Sequence, residues 1–316
     1  MEFVARGGYG QILKLPNKTC IKKFLQVYQG KCFNFNKELY TYLLLDKLGK
    51  NHEHRDKVIN LISYDLLDFT ITMEFFGVSL YEYQKEHILD SEDNKLEIIT
   101  QVLQGVAFLS SCGLVHGDLT PNNILVVCGG CYQCTETSGK NLVKICDLGS
   151  VLVENYTQQN FVCPKAIEPP EISLYFSNKT DKFDVWCAGL VLLSLVDKEY
   201  LNKFYNYRKP YDKLLESKNF QPGSEKAIIT NFELLSSDNE YKLNYDCLKD
   251  LYFLLQEYVN KMNKTRCQQL LCKLLAVDYD ERPLISELVE TTNSKHKLVE
   301  YLNQNENLRN YLNCSF

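Results

Sequence analysis

The sequence H-G-D-L-T-P-N-N occupies residues 116–123 and leads directly into the apolar run I-L-V-V at residues 124–127. Asp118 precedes Asn123 by five residues, and Asp147 comes later, at the end of a second short apolar segment. Phosphoryl transfer from ATP needs one carboxylate that orients the attacking hydroxyl, together with an amide oxygen and a second carboxylate that hold Mg²⁺ against the phosphates. These residue types in this order therefore predict Mg²⁺-dependent phosphoryl transfer from ATP.

The two segments resemble the catalytic loop and the metal-binding loop of eukaryotic-type protein kinases. The resemblance implies that Asp118 orients the acceptor hydroxyl and that Asn123 and Asp147 bind Mg²⁺. It also implies an α+β, bilobal protein-kinase-like fold that forms a single catalytic module. A small β-rich N-lobe with one main helix is expected at residues 1–76, and a larger, mostly helical C-lobe at residues 77–316.

A glycine-rich turn, R-G-G-Y-G-Q-I, lies at residues 6–12. It resembles the kinase loop whose glycines let backbone N–H groups approach phosphate oxygens closely, although Ala5 stands where that loop has its first glycine. A glycine-rich turn by itself is most often an ordinary hairpin, so its position ahead of the next segment matters. The resemblance assigns ATP contacts to Gly7, Gly8, Tyr9, Gly10 and Ile12.

A short strand, C-I-K-K-F, is predicted to start near Cys20. Strand alternation places Cys20 and Lys22 on one face and Lys23 on the other. The resemblance makes Lys22 the residue that binds the α- and β-phosphates, with Lys23 as the alternative. A helix follows near residues 36–43, and its Glu38 is either the partner that holds Lys22 or a solvent-exposed residue of an amphipathic helix.

The alternating sequence F-T-I-T-M-E-F-F-G at residues 69–77 predicts a strand, and a helix is predicted to begin at Ser79 and Leu80. The resemblance makes this strand and the residues after it the last strand of the N-lobe and the hinge. Met73 is then the gatekeeper, and the backbone from Glu74 to Phe76 binds adenine. On the same ground, ATP contacts are assigned to Cys20, Lys22, Glu38, Met73, Glu74, Phe76 and Leu125.

Three further segments resemble the large lobe of the family. D-x-W stands inside D-K-F-D-V-W-C-A-G at residues 181–189, and P-P-E ends at Glu171. The resemblance implies that Asp184 accepts hydrogen bonds from the backbone of the catalytic loop. It also implies that Glu171 pairs with Arg282 inside the lobe, since an unpaired buried charge costs several kcal/mol. The apolar run at residues 185–196 is too short to span a bilayer and is expected to form a buried helix.

A second H-R-D sequence at residues 54–56 does not fit the catalytic loop. Leu61 stands five residues after Asp56, where a metal-binding asparagine is needed. The segment also precedes the strands that come before the catalytic loop in the family. It is predicted to form a polar turn that leads into a strand at residues 58–62.

Three departures from the family pattern refine the prediction. Gly117 replaces the arginine that normally binds a phosphate on the activation segment, so activity is expected not to require phosphorylation of Ser150, Tyr156 or Thr157. Thr120 replaces the lysine that serine/threonine kinases place two residues after the catalytic aspartate. Pro164 replaces a threonine seven residues before Glu171, which makes the substrate-facing loop unusual. Serine or threonine is the favoured acceptor in a protein substrate.

Two other function classes stay open. H-G-D-L also begins the catalytic loop of aminoglycoside kinases, choline kinases and RIO-like kinases, but these families generally lack the P-P-E element, the D-x-W helix and the late arginine. A protein substrate is therefore favoured over a small molecule. A pseudokinase scaffold is the third reading, and the presence of every required side chain argues against it: Lys22, Glu38, Asp118, Asn123 and Asp147.

Composition excludes some classes without deciding the function. The chain has 316 residues, 13 cysteines and a formal net charge of −5, which gives no reason to expect nucleic-acid binding. Without a signal peptide, that many cysteines indicate a reducing compartment, either the cytoplasm or the nucleus. Cys128, Cys131 and Cys134 supply three of the four ligands that structural zinc needs, so an enlarged loop with reduced thiols is favoured over a metal site. A short kinase that has Gly117 in place of the phosphate-binding arginine also resembles virus-encoded kinases.

Overall fold

The structure is a computed structural model. It describes residues 2–6, 10–25, 32–87, 89, 91–127, 141–153, 164–174, 180–217, 239–262 and 264–289, without the side chains of 165, 210–217 and 239–246. Some residues named in the sequence-based predictions lie outside the described ones, namely Gly7, Gly8, Tyr9, Cys128, Cys131, Cys134, Tyr156 and Thr157. The predictions that concern them stay predictions.

The N-terminal part is a five-stranded antiparallel sheet with the order β1-β2-β3-β5-β4. Its strands are β1 Glu2–Arg6, β2 Gly10–Lys14, β3 Thr19–Phe24, β4 Leu61–Asp65 and β5 Thr70–Glu74. Gly10 begins β2 opposite Phe24 of β3. A Cβ atom at Gly10 would lie 2.5 Å from the Lys23 carbonyl oxygen, so only glycine lets the two strands pair here.

Helix α1, Phe33–Gly49, packs against this sheet and extends the predicted helix at both ends. Its buried face includes Phe35, Leu39 and Tyr42, which recur at helical spacing. Phe35 meets Phe24 of β3 edge to face, with ring centroids 5.6 Å apart. The helix is therefore held against the strand that carries Lys22.

The H-R-D sequence at residues 54–56 lies in a turn, as predicted, with a 3₁₀ helix at Arg55–Lys57. The strand predicted at residues 58–62 begins later, at Leu61. Val58 and Ile59 are extended but pair elsewhere, because Val58 bridges Ile145 of the later strand Leu142–Ile145 and the Ile59 amide donates to the Ile145 carbonyl at 2.9 Å. The start of the predicted strand is therefore extended but lies outside the five-stranded sheet, which the chain joins at Leu61.

The chain leaves the sheet through a short hinge and continues into a mostly helical part. Ser79 caps α2, Leu80–Glu86, by accepting a hydrogen bond from the Glu82 amide. The short strand β6, Val78–Ser79, comes directly before α2, and helix α3, Glu92–Ser111, comes after α2. Four more short strands follow α3, namely β7 Leu114–Val115, β8 Ile124–Val127, β9 Leu142–Ile145 and β10 Leu152–Val153. Strand β8 pairs with both β6 and β9, which places the two loops of the predicted active site side by side.

The remaining helices surround α5, Asp181–Val196, which is buried along nearly its whole length. They are α4 Pro170–Ser173, α6 Lys198–Ser217, α7 Asn239–Lys261, α8 Arg266–Leu274 and α9 Ile285–Leu288. A helix that is apolar on every side must be covered on every side, and α3, α6 and α8 all pack on α5. This confirms the predicted buried helix and the α+β bilobal fold.

Arg282 and Glu171 form a buried bidentate ion pair beside α5. The two guanidinium nitrogens lie 2.6 and 3.0 Å from the two carboxylate oxygens. Arg282 also donates to the carbonyl of Ala276 and lies over the ring of Trp186 at 5.0 Å. The pair therefore links the loop after α8 to the start of α4.

Within the described residues, no helix has the length and apolar character that crossing a bilayer would require. The described cysteines are all free thiols.

Candidate active site

Lys22 lies at the centre of the site. Strand β3 runs between β2 and β5, and Lys22 is opposite Ile12 on one side and Ile71 on the other. Its ammonium nitrogen lies 2.6 Å from a carboxylate oxygen of Glu38 on α1 and 2.9 Å from a carboxylate oxygen of Asp147. Lys22 is buried, whereas Lys23 points to solvent on the opposite face. The structure thus places Lys22, and not Lys23, between the sheet, the helix and the second loop.

Burial and charge act against each other at Lys22. Burial alone lowers the pKa of its ammonium group, but the carboxylates of Glu38 and Asp147 outweigh this and the pKa is raised above its ordinary value. The ammonium therefore stays charged at neutral pH. A charged lysine held between two carboxylates is suited to binding phosphate oxygens next to a metal ion.

Asp184 on α5 braces the loop that contains Asp118. Its carboxylate accepts the backbone N–H of His116 at 2.6 Å and that of Gly117 at 3.1 Å. Gly117 has a φ of +78°, in the left-handed region that side chains with a Cβ rarely adopt. The structure thus gives a backbone reason for glycine at the position where the family has arginine.

The imidazole of His116 connects the two loops of the site. Its Nδ1 accepts the Asp118 amide at 3.2 Å, so the ring carries its proton on Nε2, which donates to the Cys146 carbonyl at 3.1 Å. Burial lowers the pKa of His116, and the ring is neutral near pH 7. This neutral histidine fixes the residue before Asp147 relative to Asp118, a contact that the sequence analysis did not identify.

Asp118 and Asn123 face each other across the loop. The Asn123 side-chain amide donates to the Asp118 carbonyl at 2.8 Å and to its carboxylate Oδ2 at 3.0 Å. Because both contacts are with acceptors, the amide nitrogen must point to Asp118 and the amide oxygen points away. Asp118 Oδ1 is buried and has no hydrogen-bond partner among the described residues. Asp118 therefore retains an acceptor whose hydrogen-bonding capacity the described residues do not use.

The carboxyl group of Asp118 is a weaker acid than usual. Burial raises its pKa to about 6, the nearby negative charge of Asp147 contributes, and the hydrogen bond from Asn123 acts in the opposite direction. A carboxylate whose pKa lies close to neutrality can accept a proton in a reaction near pH 7.

Asp147 adopts an unusual backbone conformation, with a φ of +61°. Strained backbone of this kind costs about 1–3 kcal/mol and is often found at functional sites. The side chain of Asp147 is 42% exposed, although it contacts Lys22. Burial raises its pKa in part, but the charge of Lys22 and its hydrogen bond dominate, and the pKa is lowered below the ordinary value.

Asn123 and Asp147 have the donor set that fits Mg²⁺. The Cys146 amide donates to the Asn123 carbonyl at 2.9 Å, so the two segments that bear these side chains are in contact. The amide oxygen of Asn123 points away from Asp118, and the ionised, partly exposed carboxylate of Asp147 adds a second oxygen. Mg²⁺ prefers such oxygen ligands and retains water in its remaining positions.

The residues assigned to adenine lie on both sides of the hinge. Cys20 of β3 and Met73 of β5 are opposite each other and buried, while Ile12 and Leu125 are partly buried against the same core. The Glu74 carbonyl accepts a weak hydrogen bond from the Cys20 thiol at 3.6 Å. The pairing of β3 with β5 therefore brings Cys20 and Met73 together, while Ile12 and Leu125 pack against the same hydrophobic core.

Two hinge amides are used within the protein. Glu74 donates to the Asn60 carbonyl at 3.3 Å, and Phe75 donates to the Lys18 carbonyl at 3.0 Å. Of the backbone groups that were predicted to bind adenine along Glu74–Phe76, the carbonyl groups and the amide of Phe76 remain as candidates.

Lys144 is a further residue that the sequence analysis did not identify. It lies on β9 opposite Leu125, and its ammonium is 2.6 Å from the Glu74 carboxylate. The same carboxylate accepts the Asn60 amide at 2.8 Å. Lys144 thus joins the strand before Asp147 to the hinge. Alternation along V-K-I-C would have placed Lys144 on the face opposite its apolar neighbours, but not against Glu74.

The chain is similar to known proteins along most of its length. A family model described as protein kinase domain matches residues 4–293. The chain is similar to a probable serine/threonine-protein kinase MRK1 homolog of Encephalitozoon cuniculi, at 28% identity over 202 residues, which cover 61% of this chain and 57% of that protein. It is also similar to mitogen-activated protein kinase 12 of Mus musculus, at 27% identity over 216 residues, which cover 64% of this chain and 54% of that protein. The chain spans little more than half the length of these relatives.

Proposed function

Because this chain belongs to the protein kinase family, we propose that it transfers the γ-phosphate of ATP to serine or threonine hydroxyls of protein substrates. The observation that carries the proposal is the double contact of Lys22 with Glu38 and Asp147, at 2.6 and 2.9 Å. These contacts join the sheet, helix α1 and the second loop in the arrangement that phosphoryl transfer requires.

Each residue has a defined task in this proposal. Lys22, held by Glu38, binds the α- and β-phosphates, and Asn123 and Asp147 hold Mg²⁺, which supplies charge neutralisation at the phosphates. Asp118 orients the acceptor hydroxyl through its free Oδ1 and accepts the proton late in the transfer. Catalysis then depends mainly on positioning and on fixed charges.

Two observations support a protein substrate. The buried Glu171–Arg282 pair and the brace from Asp184 to the catalytic loop are both formed, and the resemblance associates them with protein kinases more than with small-molecule kinases. The named relatives are themselves described as a probable serine/threonine-protein kinase and a mitogen-activated protein kinase.

Replacement of Lys22 by methionine is expected to lower the rate of phosphoryl transfer by roughly 100-fold, since it removes a preorganised charge from the phosphates. Lys23→Met is the matched control, because Lys23 is next in the chain but points to solvent. Steady-state kinetics with ATP would compare the two variants. Equal losses in both would mean that Lys22 has no special role.

The rate is also expected to depend on the ionisation of Asp118. Its raised pKa of about 6 means that the carboxylate form, which accepts the hydroxyl hydrogen bond, is lost as the pH falls through this value. We therefore expect kcat/KM to rise between about pH 5 and pH 7 and then to level off. A pH profile at saturating Mg²⁺ would test this, and a flat profile over this interval would contradict it.

Activity is proposed not to require phosphorylation of the activation segment. The Lys22–Glu38 ion pair is formed in the structure, and Gly117 provides no guanidinium for a phosphate. Treatment of the purified protein with a broad-specificity phosphatase, which is then removed, is expected to leave its kcat within about twofold of the untreated value. A loss of activity that a second kinase restores would overturn this.

The decisive experiment is radiolabelled phosphate transfer from ATP with Mg²⁺. Histone, casein and myelin basic protein would be offered beside an aminoglycoside and choline. Label on protein serine or threonine is the expected result. Label on a small acceptor alone would identify a small-molecule kinase, and ATP binding without transfer to any acceptor would identify a pseudokinase.

A further inference from the structure

A buried polar cluster connects α4 and the residues just before it to helices α6 and α7. It consists of Arg208 on α6, Tyr252 on α7, and Glu168 and Ser173 on the segment that contains α4. Arg208 and Tyr252 are fully buried, and Glu168 and Ser173 are each 3% exposed. None of these four residues was identified from the sequence as part of the site, and hydrogen bonds link the four to one another.

The cluster is closely connected. Arg208 donates to the Glu168 carbonyl at 3.0 Å and to the Ser173 hydroxyl at 2.7 Å, and it also contacts the Tyr252 hydroxyl. Tyr252 donates to the Glu168 carbonyl at 2.7 Å and lies 3.0 Å from the Ser173 hydroxyl. Ser173 in turn donates to the Glu168 carboxylate at 3.3 Å, which is 3.8 Å from the Arg208 guanidinium.

A fully buried guanidinium is costly unless its charge and its donors are all compensated. Here the compensation comes from one short stretch, because Glu168 and Ser173 are five residues apart. The cluster therefore holds the backbone of this stretch on α6 and α7. The Glu171–Arg282 ion pair also anchors this stretch. Two separate buried networks therefore fix residues 168–173.

The stretch directly follows residues 164–167, where the resemblance expects the chain to face the substrate. Pro164 stands at the position of the family's threonine and has neither a hydroxyl nor an amide hydrogen to donate. Residues 164–167 are covalently continuous with the fixed stretch 168–173, so the position of that stretch constrains theirs. Ile167 is buried, and its carbonyl accepts a weak hydrogen bond from the Cys187 thiol on α5.

We propose that Arg208 and Tyr252 are positioning residues for the protein substrate, because they fix residues 168–173 and through them the substrate-facing residues 164–167. This inference rests on the proposed function. It predicts that loss of the cluster weakens the use of the protein substrate and leaves the use of ATP unchanged.

The test compares four variants by steady-state kinetics with myelin basic protein and ATP. Arg208→Met removes the guanidinium and keeps the length of the side chain, whereas Tyr252→Phe and Ser173→Ala remove only a hydroxyl. Lys203→Met is the matched control, because Lys203 is on the same helix and its side chain is 58% exposed. For Arg208→Met we expect the KM for myelin basic protein to rise on the order of tenfold, with the KM for ATP unchanged.

The two hydroxyl variants keep the proposal testable if Arg208→Met fails to fold. Tyr252→Phe and Ser173→Ala should raise the KM for myelin basic protein by a smaller factor, and combining them should raise it by less than the product of their separate effects, because they share contacts. Arg208→Lys, which restores a cation, should recover part of the loss.

Three outcomes would overturn the inference. A lower kcat or a lower unfolding temperature with an unchanged KM for myelin basic protein would mean that the cluster only supports the fold. A wild-type protein that phosphorylates myelin basic protein, with variants that match Lys203→Met, would remove this inference and leave the proposed function in place. A wild-type protein that transfers no phosphate to any protein would remove both.

Discussion

Asp118→Asn is expected to lower the kcat of phosphoryl transfer by roughly 10²–10⁴-fold, the range that loss of a positioned proton acceptor usually costs. The amide cannot take the proton of the acceptor hydroxyl, and its NH₂ group would face Asn123 or the hydroxyl with a donor instead of an acceptor. Lys22, Glu38 and Asp147 keep their contacts, so affinity for ATP should stay nearly unchanged.

Asp56→Asn is the control for this variant, because Asp56 belongs to the other H-x-D sequence of the chain. Its side chain is 65% exposed and pairs with Lys57 at the surface. Single-turnover kinetics and ATP binding by calorimetry would be measured for both variants. Normal turnover by Asp118→Asn, or an equal loss in Asp56→Asn, would mean that Asp118 is not the group that accepts the proton.

Arg282→Met is expected to lower the free energy of unfolding by about 3–5 kcal/mol, the usual cost of breaking a buried pair from one side. The Glu171 carboxylate would remain buried without its bidentate partner, and the carbonyl of Ala276 would lose its donors. The stacking of the guanidinium over Trp186 would be lost as well.

The matched control is Arg266→Met. Arg266 also pairs with a carboxylate, that of Asp93, but both side chains are largely exposed, and exposed pairs are worth about 0–1 kcal/mol. Thermal unfolding followed by circular dichroism would give the midpoint for each variant. A shift in Arg282→Met no larger than that in Arg266→Met would show that the pair adds little to the stability of the fold.

Sequence spacing predicted the elements that bear the site. The apolar run at residues 124–127 forms β8 directly after the loop of Asp118, and the apolar segment before Asp147 forms β9, Leu142–Ile145. Alternation also separated Lys22 from Lys23 correctly. These predictions succeed because strand alternation is a local property: the face on which a side chain lies follows from the parity of its position.

The less successful predictions share a physical cause. The strand expected at residues 58–62 starts at Leu61 because Val58 and Ile59 pair with Ile145, more than 80 residues later in the chain. The Lys144–Glu74 ion pair joins residues 70 positions apart, and the Arg208 cluster joins three helices. Such contacts leave no periodic signal in the chain, since they are selected by packing in three dimensions.

The sequence by itself determined the family, the bilobal fold and the residues that bear the proposed chemistry, because phosphoryl transfer needs particular side chains at particular spacings. Only the tertiary structure decided the ion pairs, the pKa values and the backbone conformations of these residues. It pairs Lys22 with both carboxylates, raises the pKa of Asp118 by burial, and places Gly117 in a left-handed conformation against Asp184. Burial, charge and backbone strain depend on which distant segments surround a residue, and these neighbours exist only once the chain has folded.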